Sequence, residues 1–185
     1  MMLLVTRCLL LVSCLQVTLQ ASAQPAACTL DWLRAHLNVR EATGRNDGPA
    51  VAAIVRAGGG NPLQRPEWCG FTQTAANRAC GLPYPANGMQ GAAAAWFRPG
   101  PRLVYQLGTK GSLDSLKPGY KAGLWYGTAV HHITCLAVEG RPTRRGRAAR
   151  GWYCLGGNEG RGAEAGLHYT FYSSGSLFAV SNWTY

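Results

Sequence analysis

The sequence predicts an α+β domain in which helices from the first half of the chain pack on one face of a mainly antiparallel sheet from the second. Three observations support that class. Before Pro99 the apolar residues recur at helical spacing between Gly and Pro breaks. From Leu103 onward the chain turns to β-branched and aromatic runs separated by Gly and Pro. The connections between those runs are mostly too short for helical crossovers, which favours antiparallel pairing. A chain of 185 residues suits one domain with a sizeable core.

The elements follow in order. Arg7, the apolar run from Leu9 and the small-residue site Ala21-Ser22-Ala23 predict a secretory signal over residues 1–23, leaving a single domain over 24–185. The expected location is secreted or periplasmic. Leu11-Val12-Ser13-Cys14 offers a second reading, a lipid anchor through Cys14. Thr29 is placed to cap a short helix over Leu30 to Leu37. Gly44 to Pro49 reads as a turn into a second helix that buries Val51, Ile54 and Val55 and stops at Gly58-Gly59-Gly60. A third helix runs from Trp68 to Ala79, with Phe71, Ala75 and Ala79 on one stripe and Gly81 as terminator. Gln90 to Phe97 reads as a further helical stretch. Strands are expected at Leu103 to Leu107, Leu124 to Tyr126, Val130 to Val138, Gly151 to Gly156, Leu167 to Tyr172 and Leu177 to Trp183. No later segment has the roughly 20 apolar residues of a membrane helix, so no integral membrane segment is expected.

Seven cysteines, with Cys8 and Cys14 in the leader, leave an odd set: Cys28, Cys69, Cys80, Cys135 and Cys154. In an oxidising compartment this suggests two bridges and one free thiol. Cys135 and Cys154 sit in strand-like runs joined by an arginine-rich connection and are expected to pair across a hairpin. Cys28 would then pair with Cys80, leaving Cys69 free. The formal net charge is +10, with Arg141, Arg144, Arg145, Arg147 and Arg150 concentrated in one short stretch. Such a cluster attracts polyanions, or is simply a solvated loop. No nucleic-acid motif accompanies it, so an anionic envelope polymer is the expected partner and a nucleic acid is not. Trp68, Arg144 and Arg145 are the residues expected to contact that polymer, and a monomer is expected.

Cys69 opens the third helix, where unpaired N–H groups favour thiolate and can donate to an oxyanion. A nucleophilic cysteine needs a base and a group that orients it. His131 and His132 open a strand. Adjacent strand positions face opposite sides, so one of them is expected to look toward Cys69. Asn158, just past the following strand, is the candidate orienting group. Neighbouring histidines diverge and no Glu or Cys set completes a metal site. The serines lack the Gly-x-Ser-x-Gly elbow of a serine hydrolase.

These residues carry a resemblance. Val39 to Pro49, Pro66-Glu67-Trp68-Cys69-Gly70-Phe71, His132-Ile133-Thr134-Cys135-Leu136-Ala137-Val138 and Gly157-Asn158 resemble the lead-in, nucleophile segment, histidine strand and following Gly-Asn element of CHAP (cysteine, histidine-dependent amidohydrolase/peptidase) domains. These are relatives of the NlpC-type cell-wall hydrolases in the papain-like superfamily. The resemblance implies a papain-like fold and a peptidoglycan hydrolase, either an N-acetylmuramoyl-L-alanine amidase or an endopeptidase. It further implies Cys69 as nucleophile, His132 as base with His131 the alternative, Asn158 orienting the imidazole, and no metal or cofactor. A different class of reading is a non-catalytic envelope-binding module on the same scaffold.

Overall fold

The computed structural model describes residues 24–126, 129–144 and 147–185. The signal segment, Cys14 and Arg145 lie outside them. Three helices come first, α1 (Gln24–Ala35), α2 (Pro49–Ala57) and α3 (Cys69–Ala79). Strands β1 (Leu103–Gln106), β2 (Lys121–Tyr126), β3 (Ala129–Gly140), β4 (Thr143–Arg144), β5 (Arg147–Ala148), β6 (Gly151–Glu159), β7 (Gly166–Ser173) and β8 (Leu177–Ser181) follow. Six of them form one sheet in the order β1-β8-β2-β3-β6-β7, every neighbouring pair antiparallel. Strands β4 and β5 form a small separate ribbon at the arginine-rich turn. The expected order of helices before an antiparallel sheet is observed.

The helices bury one face of that sheet. Leu30 and Leu33 of α1, Val51, Ile54 and Val55 of α2, and Trp68 and Ala76 meet Cys135, Ala137, Leu155 and Leu167 from the strands. Leu136, Trp152, Cys154, Leu177 and Val180 face the other way and are covered by Leu113, Leu116 and Tyr120 from the chain between β1 and β2. Alternation along each strand thus gives the sheet two apolar faces.

That alternation corrects one expectation. Cys135 pairs in register with Leu155, and Leu136 with Cys154, so the two cysteines stand one position out of step. A one-residue offset puts side chains on opposite faces, and Cys135 and Cys154 remain separate buried thiols. The other expected bridge is present: Cys28 and Cys80 are disulfide-bonded with their Cα atoms 5.9 Å apart. It joins α1 to the C-terminal end of α3.

Two local expectations also change. The first helix is already wound at Gln24, and Thr29 lies inside it, donating from Oγ1 to Pro25 O at 3.2 Å. Thr29 satisfies its hydroxyl on the preceding turn. The stretch read as helical from Gln90 holds only a 3-10 turn, Ala93–Phe97. Here Gly91 runs against α3: a Cβ on Gly70 would meet Gly91 O at 2.2 Å. The chain lies flat across the helix start instead of winding.

Candidate active site

Trp68 is the N-cap of α3, with φ −110° and ψ 7°, and makes no side-chain cap. Its fully buried indole donates Nε1–H to Glu41 Oε1 at 2.8 Å, and Glu41 Oε2 accepts the Asn46 N–H at 2.8 Å. Glu41 is itself fixed by its backbone N–H to Ala165 O, 2.9 Å. The loop between α1 and α2 therefore holds the residue before the cysteine. Trp68 has no surface to offer a polymer, which corrects its assignment as a contact residue: an indole whose N–H is spent on a buried carboxylate is a positioning device.

Cys69 is the first residue of α3 and is 2 % exposed. The first N–H groups of a helix lack intrahelical acceptors, so the thiol sits where partial positive charge concentrates. His132, on β3 and 9 % exposed, stands close enough to Cys69 for the thiol to raise its pKa. Its Nε2 lies 3.4 Å from Glu159 Oε1. Glu159, the last residue of β6, is buried and accepts a second hydrogen bond from Thr170 Oγ1 on β7. Burial pushes the His132 pKa down, but the hydrogen bonds and charges of Cys69 and Glu159 outweigh it and hold it up at about 10. A protonated imidazole beside a helix-start thiol is the arrangement in which a thiolate is stabilised.

The structure thus brings together Cys69 and His132, and adds Glu159. The group bonded to His132 Nε2 is Glu159, with Asn158 one residue earlier. Asn158 has φ 59° and lines a cleft of about 540 Å³ with His131, His132, Glu67 and Arg161. His131 is exposed. The register of β3 on β2 passes from His132 opposite Leu124 to Val130 opposite Trp125, so His131 is the unpaired residue of a bulge, a device that re-aims side chains. Both histidines line the cleft. Neither strict alternation nor divergence describes them.

Two glycines set the spacing beneath this group. A Cβ on Gly157 would meet Thr72 Oγ1 at 2.1 Å and the Trp68 ring at 2.8 Å, and one on Gly156 would meet Glu159 Oε1 at 2.1 Å. Strand β6 passes directly against the helix start because it carries no side chain there.

At the two remaining thiols, burial raises the pKa of Cys135 and raises that of Cys154 well above the ordinary value. In the arginine-rich region, Arg150 is held by Glu139 Oε1 at 2.7 Å and Asp114 Oδ1 at 2.6 Å. The Glu139 and Asp114 bonds raise its pKa, and part of that positive patch is neutralised. The backbone of Arg144 belongs to β4. Among the described residues no cluster of three or more His, Cys, Asp or Glu is placed to hold a metal ion. No described helix is long and apolar enough to cross a membrane.

No family model matches the chain, and neither a curated protein nor a solved structure matches it.

Proposed function

We propose that the protein is an exported cysteine amidohydrolase of the CHAP type, with a papain-like arrangement, that cleaves amide bonds of peptidoglycan. The observation that carries this reading is the series Cys69, His132, Glu159, in which a helix-start thiol lies beside an imidazole that in turn pairs with a buried carboxylate. In the reaction the Cys69 thiolate attacks the scissile carbonyl, and the N–H groups at the start of α3 stabilise the oxyanion. His132 delivers its proton to the leaving amine and then takes one from the water that hydrolyses the thioester. Glu159 fixes the imidazole and stabilises its charge, with Thr170 holding the carboxylate in turn. Asn158 stands at the cleft wall, available to the substrate. This chemistry supports acyl transfer, the class to which amide hydrolysis belongs. The choice of peptidoglycan rests on the resemblance of the Cys69 and His132 segments, the leader-like N-terminus and the net positive charge.

The test is digestion of purified peptidoglycan by the mature protein beside its Cys69→Ala variant, with soluble fragments identified by mass spectrometry. Cysteine-dependent release of free stem peptides identifies an amidase, and shortened muropeptides an endopeptidase. No release from several wall types by a folded protein overturns the peptidoglycan assignment and favours the non-catalytic binding module.

A further inference from the structure

Lys121 is 1 % exposed, one of the largest buried side chains, and among the described residues no salt bridge joins it to a carboxylate. Its Nζ donates to Gln73 Oε1 at 3.1 Å and lies 3.7 Å from Cys135 Sγ. The Trp96 ring is 5.8 Å away. Lys121 on β2 and Cys135 on β3 are direct cross-strand partners, so both side chains rise from the same face at the same level. Cys135 has no exposed surface, and Cys154 is on the opposite face of the sheet, so a disulfide between them is closed off. A buried lysine without a counter-ion is costly unless it is neutral, and burial does lower its pKa while raising that of Cys135. The amine therefore faces the thiol across 3.7 Å inside a fully buried site.

We propose that Lys121 and Cys135 are a covalent modification site, joined through one oxygen atom as Nζ–O–Sγ when the folded protein reacts with dioxygen. The thiol gives up its S–H hydrogen and the amine one N–H hydrogen. One oxygen atom enters between nitrogen and sulfur, and the other leaves with two hydrogens as water. Sulfur and nitrogen each lose two electrons, and dioxygen takes up all four. The linkage is reversible by excess thiol, which returns both side chains. It would tie β2 to β3 beneath α3, whose Gln73 also donates to Leu155 O on β6 at 3.0 Å.

The experiment compares the folded mature protein kept anaerobic with the same protein held in air-saturated buffer, the Cys28–Cys80 bridge left intact, by intact mass and tryptic mapping. The expected result is a gain of one oxygen with loss of two hydrogens, failure of trypsin to cut after Lys121, and failure of Cys135 to alkylate in denaturant, all reversed by dithiothreitol. Lys121→Met and Cys135→Ser should not take up that mass, and circular dichroism checks that each is folded. Cleavage after Lys121 together with full alkylation of Cys135 after aeration overturns the proposal, whatever the variants do. So does oxygen confined to Cys135, or loss of two hydrogens alone, which is a direct N–S bond. None of these readouts depends on hydrolytic activity.

Discussion

Trp68 and Glu41 are joined by a buried hydrogen bond of 2.8 Å, which makes the loop between the first two helices part of the support for Cys69. Trp68→Phe keeps an aromatic ring but removes the indole donor with part of its volume and leaves a buried carboxylate oxygen unpaired. It should cost about 1–3 kcal/mol in urea unfolding and lower hydrolysis of the wall substrate further than that loss of folded protein explains. Full activity at reduced stability would limit the loop to a structural part.

His132 is the residue whose titration reports the site. Its pKa lies at about 10 against an ordinary 6.5 because Cys69 and Glu159 outweigh burial. The folded state thus binds the proton more tightly than the unfolded chain. The resulting stability is complete below about pH 6.5 and is lost as pH rises through about 10. Cys69→Ala removes one of the groups that raise it, so an NMR titration should show the imidazole pKa falling and the alkaline loss of stability moving to lower pH. An unchanged pKa in that variant would separate the two side chains.

Glu159→Gln keeps an acceptor for Thr170 but no negative charge beside His132. By analogy with other triads it should lower kcat by roughly 10² to 10⁴ and bring down the His132 pKa. Asn158→Ala and His131→Ala, at the cleft wall and on the bulge, should leave that pKa in place and retain much of the activity. If His131→Ala abolishes turnover and His132→Ala does not, the base is His131.

Gly157→Ala places a methyl 2.1 Å from Thr72 Oγ1 and 2.8 Å from the Trp68 ring. The overpacking should cost about 1–3 kcal/mol, read as a lower Tm, and should move Trp68 and the cysteine that follows it. An Ala variant with wild-type Tm and turnover would show that β6 has slack there.

The second and third helices and the six strands of the main sheet were legible because apolar spacing and Gly or Pro breaks report local structure directly. Val51, Ile54 and Val55 are buried where the spacing places them. Glu159 was not legible as the partner of His132. The Gly156-Gly157 pair reads as a strand end, which leaves Asn158 as the first polar residue beyond it, whereas β6 continues to Glu159. The glycines are there for close approach, a long-range property that a local pattern does not carry. Lys121 escaped notice for a related reason, since a lysine before Ala122-Gly123 looks solvated until Gln73, Trp96 and Cys135 close over it. The faces of Cys135 and Cys154 depend on register, which sequence spacing alone does not set.

The Cys28–Cys80 bridge spans a sequence separation of 52 residues, within which lie α2, the Glu41 loop and Cys69. Closing a loop of that length removes about 4 kcal/mol of unfolded-chain entropy. In a reducing compartment the first helix is no longer tied to the end of the third, and the same chain has less to hold its thiol in place. The bond makes the hold on that thiol depend on where the chain finds itself, so that the region around Cys69 is made firm by oxidation rather than by synthesis alone.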